Sequence, residues 1–259
     1  MDADIVCLDL EDSVPPDQKI DARQMVRDAI GSGWHHPRIF VRVNSPESGM
    51  IADDLRAVAG GGLDGIVVPK VNRPDDLQFL FEILKELEPP GSTVEVIPSV
   101  ESAAGVINAY NIATCDPRVG ALVFGIFDLL NDMGIEYTPQ AACSYGRAKV
   151  PLDAAAAGIP SIDGIWQDIR DTSGFEADCH LGRTMGYSGK SLIHPAQIPT
   201  THREFAPTPS EIRWARRVCE AYPEAVGSGR GAILLEGKMI DEVHYKRAKS
   251  VLDFADKTN

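Results

Sequence analysis

The sequence predicts an α/β barrel. Three observations carry that expectation: seven short apolar runs, amphipathic stretches between them, and a polar or charged residue closing each run. The runs are Asp4–Leu10, Arg38–Asn44, Gly65–Val71, Val94–Val100, Ala121–Phe127, Ile159–Ile165 and Tyr187–His194. Several contain unbroken β-branched strings such as Ile66-Val67-Val68, the pattern of strands covered on both faces. Helical periodicity fills the gaps, as at Pro74–Leu87, Ser102–Ala113 and Pro139–Ala157. Repeated strand–helix alternation implies a parallel sheet with right-handed crossovers, and seven units point to a closed barrel before an open sheet. Gly and Ser in the sixth and seventh runs lower their strand propensity.

Beyond His194 the pattern changes. Ser210–Tyr222 reads as a helix, Ala232–Leu235 as a short extended piece and Asp241–Phe254 as a last helix, with the Gly-rich stretch Gly227–Gly231 as a flexible connector. The expected division is a barrel, residues 1–205, and a C-terminal helical extension, residues 206–259, packing on the barrel or on a neighbouring subunit.

Composition narrows the function. Of 259 residues, 38 are acidic and 25 basic, a formal net charge of -13 with no Lys/Arg run, which excludes a phosphate-backbone partner such as nucleic acid. Five scattered cysteines (Cys7, Cys115, Cys143, Cys179, Cys219) lack the spacing of a disulfide framework or a zinc site and read as small buried hydrophobes of a reducing compartment. No apolar run reaches the roughly 18 residues of a membrane helix and no signal peptide opens the chain, so a soluble, cytoplasmic protein is expected.

The run ends carry Glu11 and Asp12, Arg42, Lys70, Glu101, Asp128, Asp163 and His194. An ionisable group at the end of a buried strand is costly unless it opens onto a site, and barrel sites cluster on that face. Glu101 and Asp128 end adjacent strands and admit two readings. They hold a hard cation such as Mg2+ between them, or each favours the start of the following helix. Arg42 offers a bidentate grip on a carboxylate or developing enolate, or forms a buried ion pair with Glu11 or Asp12. Asp9 and Glu11 share one face of the strand and Asp12 the other. For His194 a ligand contact, a proton donor and a satisfied core histidine all stand.

The motifs LDLEDSV (Leu8–Val14), VRVN (Val41–Asn44), VPKV (Val68–Val71), ESAAG (Glu101–Gly105), FGIFDL (Phe124–Leu129), SIDG (Ser161–Gly164), GKSLIHPAQI (Gly189–Ile198) and GKMID (Gly237–Asp241) follow in order. Together they resemble the citrate lyase beta-subunit-like branch of the HpcH/HpaI aldolase superfamily, which includes malyl-CoA and citramalyl-CoA lyases. The resemblance implies a TIM (β/α)8 barrel. It also implies a Mg2+-dependent carbon–carbon lyase that cleaves or forms a 3-hydroxyacyl-CoA, giving acetyl-CoA and a 2-oxo acid through an enolate. By the same resemblance Glu101 and Asp128 hold Mg2+, Arg42 polarises the reacting oxygen, and Asp241 handles a proton in a neighbouring subunit's site. Glu11 and Asp12 support the metal's waters and the pantetheine arm, Lys70 and His194 contact substrate or CoA, and the assembly is a homo-oligomer, a trimer or hexamer.

Two departures stand out. The family's opening strand and helix have no counterpart before Met1, so a barrel lacking its first β/α unit, a truncated chain, is expected. Phe127 replaces the Glu that usually precedes the metal-binding Asp, which leaves the acyl and oxo-acid partners open. Three other functions remain in view: an HpcH-type aldolase of free 2-oxo acids, a citrate lyase subunit serving an acyl carrier protein, and a catalytically silent barrel with an assembly role.

Overall fold

Seven parallel strands pair in strict chain order in the computed structural model, which describes residues 2–33, 37–59, 62–88, 93–137 and 144–257. They are β1 (Ile5–Asp9), β2 (Arg38–Arg42), β3 (Gly65–Val68), β4 (Glu95–Val100), β5 (Leu122–Phe124), β6 (Ser161–Asp163) and β7 (Gly189–Lys190). Every neighbouring pair is parallel. The sheet curls as a TIM barrel does, and among the described residues no ladder joins β7 to β1. Each strand is shorter than its apolar run, most of all β7, where Gly and Ser weaken strand propensity.

The crossovers are helical: α1 (Lys19–Gly31), α2 (Ile51–Val58), α3 (Asp75–Leu87), α4 (Ala103–Ala113), α5 (Ile126–Asp132), α6 (Ser144–Ala157) and α7 (Thr172–Met185), followed by α8 (Ile198–Phe205). Leu77, Leu80, Phe81 and Leu84 of α3 are buried at helical spacing. Residues 139–143 of the expected sixth crossover, Cys143 among them, lie outside the described residues. Ser102 starts α4 by accepting the Gly105 N–H (2.9 Å), so the cap is Ser102 and not Glu101.

One apolar cluster fills the concave face. Phe40, Ile97 and Ala121 are buried there, with Ile5, Val67, Val123 and Ile162 packed against them. These residues come from, or directly flank, six successive strands, as in a barrel interior filled in layers. Gly65 is required opposite Phe40, because a Cβ there would lie 2.0 Å from the ring.

The chain divides into two compact units, Met1–Thr201 and His202–Asn259. The second contains α9 (Pro209–Gly227), a hairpin of β8 (Ile233–Leu235) and β9 (Lys238–Ile240), and α10 (Glu242–Lys257). A reciprocal Thr208/Glu211 capping box starts α9, which runs five residues past the expected Tyr222. The hairpin was not anticipated. Its two-residue turn, Glu236-Gly237, has positive φ at both positions (50° and 78°), the geometry of a tight antiparallel return. Ala215, Val218, Tyr222, Ile240 and Ala248 form this unit's own core. Among the described residues no helix is long and apolar enough to cross a membrane.

Candidate active site

The register of β1 on β2 places Asp9 beside Arg42, both on the face that carries Phe40. The Arg42 guanidinium donates Nε to Asp9 Oδ1 and Nη2 to Asp9 Oδ2, both at 2.7 Å, and its Nη1 lies 3.1 Å from Glu11 Oε2. Both sequence readings of Arg42 are modified: its side-on fork is occupied, and the principal partner is Asp9, a residue not singled out as a site member. Burial by itself would raise the Asp9 carboxyl; the Arg42 fork, Ser13 and the Glu11 N–H hold it well below the usual carboxylate range. Ser13 Oγ donates to Asp9 Oδ2 as well, which ties the turn after β1 to the same carboxylate.

Lys70, two residues beyond β3, joins the cluster from its other side. Its Nζ lies 2.8 Å from Glu11 Oε1 and 3.2 Å from Asp12 Oδ2. Its backbone is left-handed, φ 56°, a costly conformation for a non-glycine residue and one found at functional turns. That turn aims the Lys70 N–H at Glu101 Oε1, 2.6 Å away. Glu11 is raised chiefly by burial, with Asp12 adding to it against Lys70 and Arg42.

Glu101 follows β4 directly and is 8% exposed. Gly125 makes its room, since a Cβ there would sit 2.4 Å from both Cβ and Oε2 of Glu101. Burial first, and the Asp128 charge second, push the Glu101 carboxyl up to about 7. Asp128 is in the first turn of α5, not at the end of β5, because the fifth apolar run turns helical at Ile126. Phe127 likewise sits in this helix, its ring 4.8 Å from that of Tyr137.

Arg42, Glu11, Asp12, Lys70, Glu101 and Asp128 thus share one patch at the carboxyl ends of the strands. Among the described residues His194 makes no hydrogen bond or ion pair with them; its Nδ1 accepts the Ala196 N–H (3.1 Å) and caps the short turn Pro195–Gln197. Asp241 belongs to the second unit, where Oδ1 caps α10 by accepting the Val243 N–H (3.0 Å) and pairs with His244 Nδ1 (2.6 Å).

The remaining strand-end acid, Asp163, went a different way. It accepts from Arg147 Nε (3.0 Å) and Nη2 (2.5 Å) and from Lys190 Nζ (2.8 Å), while Asp178 pairs with the same two cations. The sequence marks one member of this quartet, Asp163 at a run end; its partners Arg147, Asp178 and Lys190 come from α6, α7 and β7.

Carboxylates outnumber cations in the patch: Asp9, Glu11, Asp12, Glu101 and Asp128 face Arg42 and Lys70. Among the described residues no three His, Cys, Asp or Glu side chains are arranged to hold a metal. Mg2+ needs no such set. It binds through one or two carboxylates and completes its shell with water and substrate oxygens. With Oε1 taken by the Lys70 N–H, Glu101 keeps Oε2 for a ligand, and the Asp128 charge acts on the same carboxyl, a donor set that fits this ion.

The HpcH/HpaI aldolase/citrate lyase family model matches residues 1–195. This chain belongs to that family. A (3S)-malyl-CoA thioesterase from Cereibacter sphaeroides is 35% identical over 96% of the chain and 86% of the relative. The citrate lyase subunit beta of Escherichia coli is 34% identical over 98% and 86%. Among solved structures, CitE from Mycobacterium tuberculosis in complex with magnesium, acetoacetate and coenzyme A aligns at a TM-score of 0.78. It is 29% identical, with coverage of 98% of this chain and 90% of that one. Within this HpcH/HpaI family member the matched span holds the whole acidic patch and ends one residue past His194, whereas Asp241 lies outside it.

Proposed function

We propose that the protein is a Mg2+-dependent carbon–carbon lyase that cleaves, and in reverse forms, a 3-hydroxyacyl-CoA, with acetyl-CoA or a close homologue and a 2-oxo acid as the other pair. The observation that carries this reading is the Glu101 carboxylate, raised by burial first and by its neighbour Asp128 second, at the strand ends of a citrate lyase-type barrel. Family relatives that act on malyl-CoA, or that hold magnesium, acetoacetate and coenzyme A together, support it.

Glu101 and Asp128 hold the cation, which when bound polarises the carbonyl and carboxylate oxygens of the oxo acid. Arg42 donates to the thioester oxygen and stabilises the charge that develops there as the enolate forms, a contribution of about 3 kcal/mol for one well-placed donor. Lys70 holds Glu11 and Asp12 in place and leaves them to order water and the pantetheine arm. His194 contributes a CoA contact at the rim. Asp241 enters the site of a neighbouring subunit in a trimer or hexamer and exchanges the proton of the enolate carbon. Residues 206–259 are the extension that delivers it.

A second reading has one observation in its favour, the thioesterase relative: the same patch then assists hydrolysis of the thioester. Acetyl-CoA or propionyl-CoA incubated with glyoxylate or pyruvate, with Mg2+ or with EDTA, separates the two. New 3-hydroxyacyl-CoA by mass spectrometry, lost with EDTA and in Asp128→Ala, is the lyase result. Thiol release from malyl-CoA without reversible condensation is the hydrolase result. Condensation that survives both EDTA and Asp128→Ala refutes the metal mechanism.

A further inference from the structure

We propose that Asp9 is the positioning residue of Arg42: it fixes the plane of the guanidinium, so that only the N–H groups at the far end of Nη1 and Nη2 reach the reacting oxygen. This rests on the lyase reading above.

Three observations carry it. Asp9 and Arg42 are register partners on adjacent strands, so the pair is built on the sheet and not on a loop. The two parallel bonds at 2.7 Å use both oxygens of Asp9 and the whole side-on edge of Arg42. Asp9 cannot swing away, because Oδ1 also accepts the Glu11 N–H (3.0 Å) and Oδ2 accepts the Ser13 N–H (3.3 Å) and hydroxyl. Glu11 stands beside Nη1 as an ion-pair partner at 3.1 Å, and Glu11 is itself held by Lys70. A guanidinium has five N–H groups and Asp9 takes two, so those on Nη1 and the outer one on Nη2 remain, and their direction is set by the plane that Asp9 imposes. The negative charge of Asp9 also offsets the positive charge of Arg42. The arginine therefore acts by direction, with little added net charge.

Asp9→Asn is the sharp test. It keeps the shape and the Oδ1 acceptor but turns an NH2 group toward Nη2, which breaks one of the two bonds. The expected result is a fall in kcat of about 100-fold, with KM for the thioester and Mg2+ affinity within about 3-fold, the pattern of a misaimed group in the transition state. In the double variant Asp9→Asn/Arg42→Lys the loss should be no greater than in Arg42→Lys alone, because Asp9 acts only through the arginine. Multiplied losses, or a kcat change under 2-fold in Asp9→Asn, would overturn the proposal.

A second measurement does not depend on turnover. The 15N–1H signal of the Arg42 Nε–H, assigned by its absence in Arg42→Lys, is expected to be protected from exchange in wild type. It should lose that protection in Asp9→Asn and keep it in Asp9→Glu. A signal equally protected in Asp9→Asn refutes the positioning role even if the enzyme is active. Absence of condensation in wild type with this protection intact refutes the lyase reading alone.

Discussion

Two clusters of charge sit at the carboxyl ends of the same sheet, and they are opposites. At β6 and β7, two acids and two bases (Asp163, Asp178, Arg147, Lys190) balance within a closed quartet, with Asp163 1% and Arg147 3% exposed. At β1 to β5, five acids face two bases, Lys70 is 39% exposed at its side chain, and Glu101 is buried beside a like charge. A balanced, largely buried cluster satisfies its own charges and serves the fold. An unbalanced, half-open one is destabilised by itself and relieved by a cation. Residue type does not distinguish them; balance and access do.

The quartet should break hardest. Asp163→Ala leaves Arg147 and Lys190 buried with Asp178 alone, and removal of one partner from a buried ionic network costs about 3–5 kcal/mol. Urea unfolding is expected to show that loss, and much of the protein should become insoluble. An Asp163→Ala protein as stable as wild type would mean that the quartet does not hold β6, β7, α6 and α7 together.

Glu101→Gln tests the opposite cluster, and the sign reverses. Glu101 binds its proton more tightly in the folded protein than in the unfolded chain, about 7 against 4.5. Its ionisation therefore costs stability: metal-free wild type should weaken as pH rises from about 4.5 to about 7, by roughly 3 kcal/mol in all. Glu101→Gln should flatten that slope and be more stable than wild type at pH 8, while it loses Mg2+ binding and at least about 100-fold in kcat/KM. A less stable variant that still binds Mg2+ would remove Glu101 from the metal site.

The same proton reports on the metal directly. A cation on Glu101 needs the ionised carboxylate, so Mg2+ affinity by titration calorimetry should rise about 10-fold per pH unit below about 7 and level off above it. A flat profile from pH 5.5 to pH 8 would contradict the raised carboxyl.

The strands and their order were legible, because parallel strands covered on both faces leave unbroken apolar runs such as Ile66-Val67-Val68 that no partner is needed to interpret. Glu101, Arg42, Lys70 and Glu11 were found as charges at the ends of those runs. Asp9 was not, since an acid one residue inside a strand end looks like ordinary punctuation until the register sets Arg42 against it. Asp128 was placed on a strand because Leu122–Phe127 is apolar throughout; the helix that claims it begins only where the backbone leaves the sheet at Gly125. The quartet was illegible for the same reason as Asp9: Arg147, Asp163, Asp178 and Lys190 come from four elements. The hairpin is hard to read from sequence because both strands have only three residues and the second begins with Lys238.

The opposite edge of the sheet supplies the smallest expected effect. Arg38 begins β2, pairs with Glu95 at 2.9 Å and stacks over the Phe40 ring, 5.0 Å from its centroid. It resembles Arg42 in strand, face and acidic partner, but its side chain is 47% exposed and its pair stands in solvent. Arg38→Met keeps the aliphatic packing on Phe40 and removes the exposed ion pair and the cation–π contact, each worth about 0.5–1 kcal/mol at a solvent-facing site, so stability should change by less than about 2 kcal/mol. Four residues of strand separate the two arginines, about 13 Å, beyond a Debye length of about 8 Å at physiological salt. The charge at position 38 is therefore screened from Glu101, and Mg2+ affinity should move by less than about 2-fold by calorimetry. A larger shift would mean that the acidic patch is tuned by the field of the whole sheet, and the contrast between its clusters would then have to be drawn from global charge instead of local balance.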